Sequence, residues 1–276
     1  AGNNSITVDG IKIPILSEKD PSRLPWKKLD VDVVVESTGF FTEYKKSKAH
    51  IKAGAKKVVI SAPCKGTGVK TILLGVNDGD LKKTDKVISN GSCTTNCVAP
   101  LLRVLEDTIG IKKSMMTTIH SYTNSQNLQD APHKKLRESR AAAENIIPTS
   151  TGAATSVGEA MPEELGEFNG LSIRVPTPIV SLVDLTAITE KKITKEKLNL
   201  IFEKAIKEAR WQGILATSDE ELVSSDFIGN SHSAIVDLNL TDVVAGDLIK
   251  IVAWYDNEWG YSNRLVELCV DAHNCA

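Results

Sequence analysis

Residues 88–100 read ISNGSCTTNCVAP: two cysteines four apart among hydroxyls, two asparagines and a glycine, closed by a proline. Such a run suits a metal site, a disulfide, a buried patch of small residues, or a nucleophile. KVISN (86–90) reads as a buried strand, Asn90-Gly91-Ser92 as a turn, and a helix starts at Cys93. Cys93 and Cys97 then lie one turn apart on that helix, a poor geometry for a disulfide. A metal would need two more ligands, and no further His or Cys lies nearby in sequence. At a helix N-terminus the free N–H groups and the helix dipole favour a thiolate, the reactive form. Strand–turn–helix junctions of this kind present nucleophiles. A buried, inert cysteine suits Cys97, Cys64 and Cys269, and it stays open as the other reading of Cys93.

A cysteine nucleophile needs a base. Five histidines are present. His120 closes the strand TTIH where it turns into the polar SYTN, and strand ends in a parallel sheet are where such folds place catalytic groups. His133 lies in DAPHKKLRE and is expected to be solvated. His50 reads as the polar side of a helix, His232 as loop, His273 as tail. His120 is favoured as the base; a hydrogen-bonded structural histidine is the alternative.

These side chains need elements to carry them. VDVVVESTGFF (31–41), KKVVISAP (56–63) and TILLGV (71–76) read as strands beside KVISN. Residues 42–53 form an amphipathic helix stopped by Gly54. CTTNCVAPLLRVLEDTIG (93–110) is a helix closed by Gly110, and SMMTTIHSYT (114–123) returns as a strand. Strands alternating with helices predict βαβ units and a mainly parallel sheet. After about residue 150 the texture changes. LSIRVPTPIVSLVDLTAIT (171–189) and SAIVDLNLTDVVAGDLIKIVAWYD (233–256) are long strand-like runs, the second with hairpin-like breaks, and KEKLNLIFEKAIKEA (195–209) is a helix. This predicts an α+β layer, with helices on one face of a largely antiparallel sheet. The tail NRLVELCVDAHNCA reads as a last helix.

Composition narrows the function classes. With 33 Lys+Arg against 35 Asp+Glu, the chain lacks the basic excess of a dedicated nucleic-acid domain. No run approaches the roughly 18 apolar residues of a membrane span. AGNNSITVDG has neither the charged nor the apolar region of a signal peptide. An odd count of five cysteines without a framework fits free thiols in a reducing cytoplasm.

ISNGSCTTNCVAP, TTIHSYTN, IIPTSTGAA, RVPTP, SSDFIG and WYDNEWGYSNR together resemble, in order and spacing, the phosphorylating glyceraldehyde-3-phosphate dehydrogenases. The resemblance runs from residue 6 to about residue 270. It implies that Cys93 attacks an aldehyde to give a thiohemiacetal, with His120 as base. Hydride then leaves for a nicotinamide, and inorganic phosphate releases the resulting thioester as an acyl phosphate. It implies that Arg174 serves two anion sites and that Thr123 holds the substrate phosphate. Ser92, Thr94, Thr151 and Gly152 match the inorganic-phosphate site. Asn257 matches the residue that holds the nicotinamide carboxamide, with Tyr261 beside it. Ser37-Thr38-Gly39 and the turn at Ser61 match cofactor-lining turns. The cofactor implied is NAD, with NADP as the alternative, and no metal is implied.

The resemblance has departures. The family's opening strand, G-x-G-x-x-G turn, helix and acidic strand end do not occur in these 276 residues. KGTGVK (65–70) is no substitute, because it lacks the third glycine and a strand-to-helix turn. A shortened form of an ordinary enzyme is expected rather than a protein natural without its cofactor half, since VDVVVESTG is as apolar as a doubly covered strand. An open sheet edge and exposed apolar surface should follow. Ser125 replaces a usual acidic residue, Glu138 stands where arginine is usual, and Thr155 replaces a lysine. The last two remove or reverse a positive charge near the anion sites, which implies weaker phosphate binding.

The fold class expected is α/β plus α+β: an incomplete Rossmann-type parallel-sheet domain, then a mainly antiparallel catalytic domain. The boundaries expected are 1–91 with the C-terminal helix 263–276, and 92–262. The partners expected are a phosphorylated aldehyde and inorganic phosphate, in a cytoplasmic oligomer, because loop 121–150 is long with few apolar anchors; the resemblance implies a homotetramer, with that loop across its interface. Two rivals are an erythrose-4-phosphate dehydrogenase, which would release free acid, and a non-catalytic binding module of the same fold.

Overall fold

The computed structural model of the protein describes residues 4–164 and 166–275. Residues 1–3 and 276, assigned above to the first domain, lie outside the described residues. The chain opens with a hairpin not anticipated above, β1 (Ser5–Val8) against β2 (Ile11–Pro14). Then come β3 (Val33–Glu36), α1 (Tyr44–Lys52), β4 (Lys57–Ile60), β5 (Lys70–Thr71) and β6 (Val87–Ser89). These strands form a parallel sheet in the order β3-β4-β6-β5. Glu36, Ile60 and Ser89 lie in register. The turns after them, at Ser37, Ser61 and Asn90, therefore meet along one carboxyl edge of the sheet.

One strand differs from its sequence reading. TILLGV is paired only at Lys70–Thr71, and residues 74–77 form a turn. The Asn77 side chain is the cause: its Oδ1 accepts from Leu73 N–H and its Nδ2 donates to Thr71 C=O, so the backbone is satisfied locally instead of across a ladder. As expected, β3 is an edge strand, with Val35 41% exposed.

The second part holds α2 (Cys93–Thr108), β7 (Ile111–Ser121), β8 (Ile147–Ser150), α3 (Ala153–Ala160), β9 (Phe168–Val175), β10 (Ser181–Thr189) and α4 (Lys195–Ala205). It continues through β11 (Leu215–Ser218), β12 (Ala234–Asp237), β13 (Asp242–Val244) and β14 (Leu248–Tyr255). Pro176 and Pro178 split the run 171–189 into β9 and β10. The sheet order is β11-β12-β14-β10-β7-β9-β8, with β13 on β14. Only β7–β9 and β11–β12 are parallel. Burial alternates along β10, and its Val183, Leu185 and Ala187 pack in one core with Leu101, Leu102 and Leu105 of α2 and Phe202 of α4. Each such side chain contributes about 1.5–3 kcal/mol of burial. This core fixes the helix that carries Cys93.

The last helix, α5 (Trp259–Asn274), starts four residues before its expected position. It buries Gly260, Arg264, Leu268 and Ala272, one residue per turn, and packs against β3 and β4. The end of the chain thus returns to the first sheet.

Candidate active site

The turn into α2 is locked before the thiol is reached. Gly91 has φ +62°, and a Cβ there would lie 3.1 Å from the Thr95 methyl. Ser92 caps the helix: its hydroxyl accepts from Thr95 N–H, while its own N–H donates to the Thr95 hydroxyl. Asn96 Nδ2 donates back to the carbonyls of Asn90 and Ser92 at 2.7 and 3.0 Å. Cys93 is therefore the first residue of a helix that cannot shift relative to β6.

β7 brings the second group. Ser114, Met116, Thr118 and His120 share one strand face, the face that packs on α2. His120 Nε2 stands 3.4 Å from Cys93 Sγ. Its Nδ1 lies 2.8 Å from the Ser121 carbonyl. Arg174, opposite His120 on β9, brings Nη1 to 2.5 Å from Nδ1 and 3.1 Å from the same carbonyl. The carbonyl is the acceptor for both groups. In the tautomer with Nδ1–H donating to this carbonyl, Nε2 keeps a lone pair facing the sulfur. Burial, reinforced by the Arg174 charge, lowers the His120 pKa to about 4. The ring is neutral at physiological pH and free to take a proton.

The thiol departs from its sequence reading in one respect. Burial pushes the Cys93 pKa up, against the pull of the Arg174 charge and of hydrogen bonds at Thr94. The helix terminus alone does not make a thiolate here, and the sulfur depends on His120 and Arg174. Cys64 and Cys269, with no such partners, are raised to about 11 by burial. All five cysteines are free thiols.

Tyr255, unremarked in the sequence, sits behind this pair. Its hydroxyl lies 3.0 Å from the Thr94 hydroxyl and 2.8 Å from that of Thr118, and its ring meets His120 edge-on at 6.0 Å. It ties α2, β7 and β14 together at the reacting atoms. The position after an apolar alternating strand, WYD, was the available signal.

The predicted anion residues divide. Arg174 Nε is buried with no partner among the described residues, a donor left available beside the thiol. Thr151 Oγ1 accepts from Ala153 N–H at 3.2 Å, and Gly152 precedes α3, so this turn presents the start of that helix. Thr123 bonds Ser125 through its hydroxyl at 3.0 Å and Gln126 through its N–H. Two hydroxyls are otherwise engaged. Thr94 is buried on Tyr255, and Ser92 is held in the helix cap, so each hydroxyl already has one partner in the protein. Glu138 is buried, and its Oε1 accepts from Lys135 Nζ at 2.9 Å and from the Thr149 hydroxyl.

The residues implied for NAD fit its nicotinamide end. Asn257 Oδ1 accepts from the hydroxyls of Ser121 and Ser181 at 2.9 and 3.0 Å. The amide is thereby oriented with its N–H group directed away from them, as a donor suited to a carboxamide oxygen. Tyr261 donates to the Gly91 carbonyl at 3.2 Å, beside the thiol turn. Across the sheet edge, Ser37, Thr38 and Gly39 are exposed. Their turn is held by Glu36, whose Oε1 accepts from Thr38 N–H at 2.9 Å and from the Thr38 hydroxyl. Ser61 lies on the neighbouring turn, its N–H on the Glu36 carbonyl. His50, expected on a polar helix face, is instead buried against Glu36 Oε2 at 2.9 Å. Trp26 Nε1 donates to its Nδ1 at 3.1 Å, which fixes the tautomer and stabilises the burial. Among the described residues there is no cluster that could hold a metal, and no helix is long and apolar enough to cross a membrane.

Known proteins show the same arrangement of sequence. Residues 92–257 match the family model described as the C-terminal domain of glyceraldehyde 3-phosphate dehydrogenase, and residues 1–44 match that of its NAD binding domain. The glyceraldehyde-3-phosphate dehydrogenase of Zymomonas mobilis is 51% identical over 264 residues, which cover 96% of this chain and 78% of that relative. The enzyme of that name from Mycobacterium tuberculosis is 53% identical over 268 residues, 97% of this chain and 78% of the relative. Glyceraldehyde-3-phosphate dehydrogenase 1 of Bacillus subtilis is 51% identical over 266 residues, 96% of this chain and 79% of the relative. The chain belongs to the glyceraldehyde-3-phosphate dehydrogenase family of NAD-binding oxidoreductases.

Proposed function

We propose that this member of the glyceraldehyde-3-phosphate dehydrogenase family oxidises glyceraldehyde 3-phosphate to 1,3-bisphosphoglycerate in glycolysis, with inorganic phosphate as co-substrate. The observation that carries this reading is the 3.4 Å approach of His120 Nε2 to Cys93 Sγ beside the Arg174 guanidinium.

The steps assigned to this chain's residues follow from that geometry. His120 Nε2 takes the thiol proton as sulfur attacks the aldehyde carbon, and Arg174 offsets the charge that develops. That proton passes from His120 to the carbonyl oxygen to complete the thiohemiacetal, and His120, neutral again, takes the hydroxyl proton in the oxidation step. NAD, when bound, supplies the hydride acceptor, and Asn257 orients its carboxamide. The thioester left on Cys93 conserves the oxidation energy until phosphate oxygen attacks the carbonyl, the C–S bond breaks and the thiolate leaves. Arg174 serves both phosphate groups, Thr123 the substrate phosphate, and Ser92, Thr94 and the Thr151-Gly152 turn the inorganic phosphate.

The domain division expected from sequence is kept as part of this reading: 1–91 with residues 263–276 as the cofactor part, 92–262 as the catalytic part. The packing of α5 on β3 and β4 supports it. A cytoplasmic homotetramer is the proposed form. Leu128, Leu136 and Ile146 in loop 122–146 are each more than 70% exposed, apolar surface that a second copy would cover.

The test is product formation by the purified chain with glyceraldehyde 3-phosphate and NAD, with and without phosphate. NADH formation that needs phosphate and is abolished in Cys93→Ser supports the reading. Phosphate-independent release of free acid would favour the erythrose-4-phosphate type of chemistry, and no NADH under any condition would favour the non-catalytic reading.

A further inference from the structure

Charge in the anion corner is unusually balanced. β8 and β9 pair with Ile147 opposite Arg174 and Thr149 opposite Ser172, so Thr149 and Arg174 lie on one sheet face. Glu138 enters this face from the preceding loop and is 4% exposed. Its carboxylate holds the Thr149 hydroxyl on one side and Lys135 on the other. Lys135 itself is 57% exposed at its side chain, so its countercharge is screened by water, whereas the carboxylate is not. Burial lowers the Arg174 pKa, and the charges of Cys93, Tyr255 and, least of the three, Glu138 act against it. Arg174 in turn has one buried N–H group, Nε, without a partner among the described residues. The sheet face that carries the unpaired Arg174 donor thus also carries one buried negative charge, held at Thr149.

We propose that Glu138 is a specificity-determining residue of this site, whose buried carboxylate opposes the Arg174 guanidinium and selects against doubly charged anions. The proposal rests on the reading of Arg174 as an anion-binding residue. Near neutral pH inorganic phosphate is divided between singly and doubly charged forms, and the affinity of the doubly charged form is held down. An anion of one charge is penalised half as much by the same carboxylate, because the repulsion scales with the product of the charges. The site thus holds phosphate weakly enough for the product to leave, and the charge of Glu138 sets how weakly. The hydrogen bonds that keep Glu138 charged, from Thr149 and Lys135, also hold its carboxyl below the usual carboxylate range although burial acts in the other direction.

The test needs no cofactor. The full chain is labelled with iodoacetamide at neutral pH in rising concentrations of inorganic phosphate, and the rate at Cys93 is read by mass spectrometry. Phosphate at Arg174 slows labelling, and the half-protecting concentration is the observable. Glu138→Gln keeps an acceptor for Thr149 and removes the charge; its half-protecting concentration falls about tenfold. Lys135→Met, an exposed substitution, unmasks the carboxylate and raises the concentration about twofold. An unchanged or higher value in E138Q overturns the proposal. If E138Q does not fold, an unchanged or lower value in K135M overturns it. If phosphate protects neither the unsubstituted chain nor E138Q, Arg174 is not an anion site, and the underlying reading fails with the proposal. If it protects all three chains with one constant, only the role of Glu138 fails.

Discussion

Arg174 Nη1 stands 2.5 Å from Nδ1 of His120, so the cation of the site and its base occupy the same corner. The guanidinium acts on two groups in opposite senses. It opposes a second proton on the imidazole and favours a negative charge on the Cys93 sulfur. A thioester mechanism requires a neutral base and a sulfur that can reach its anionic form, and one side chain favours both, in the second case against burial.

Removing that cation should separate the two effects. In Arg174→Leu the thiol loses its main stabilising charge, and the pH profile of Cys93 alkylation moves to higher pH. Labelling near neutral pH should fall by about tenfold, one pKa unit of lost interaction. A profile that stays in place would show that Arg174 does not act on the sulfur.

His120 gives the fold a defined acid sensitivity. Its folded value of about 4 lies below the ordinary 6.5, so between these limits the unfolded chain binds a proton that the folded chain refuses. This contribution to stability is fully present above pH about 6.5 and is lost as pH falls toward 4. His120→Asn should flatten that part of the stability curve, measured by urea unfolding across the window.

Glu164 should act with the opposite sign. It is 2% exposed, neither carboxylate oxygen has a partner among the described residues, and burial beside Glu106 and Glu163 raises its pKa to about 7. The folded state here holds a proton that the unfolded state releases. Stability is therefore lost as pH rises from about 4.5 to about 7. Glu164→Gln should stabilise the chain near pH 8, by up to about 3 kcal/mol, and change it little near pH 5. Thermal melts at the two pH values measure this.

Tyr255→Phe removes a hydroxyl shared by Thr94 and Thr118 and leaves both in a dry environment. The expected loss is about 1–3 kcal/mol in urea unfolding. Cys93 labelling should slow as well, because α2 and β7 lose their common tie. Unchanged labelling with lowered stability would mark Tyr255 as structural only.

Much of this site could be read from the chain because its signals are local. The turn Asn90-Gly91-Ser92 between an apolar strand and a helix fixes where Cys93 sits, and TTIH places His120 at a strand end. Family resemblance brought Arg174 and Asn257 into the reading, since neither is near Cys93 in sequence. What was missed depends on contacts distant in sequence or on side chains replacing backbone bonds. His50 looks solvated on a helical wheel until Glu36 and Trp26 arrive from other segments to satisfy both nitrogens. TILLGV has strand composition, yet Asn77 closes its backbone locally. The hairpin β1–β2 did carry a local signal, Asp9-Gly10 in positive φ between ITV and IKI, which was overlooked. The raised thiol of Cys93 could not be read from the helix terminus, because burial outweighs the dipole there.

The most direct test of the account is the rate of iodoacetamide labelling at each of the five cysteines near neutral pH, in the unsubstituted chain and in His120→Asn. The account predicts that Cys93 reacts at least about tenfold faster than Cys64, Cys97, Cys269 and Cys275, and that this advantage disappears in the variant. Equal labelling of Cys93 and the other half-buried thiols, or an advantage that survives the loss of His120, would contradict it.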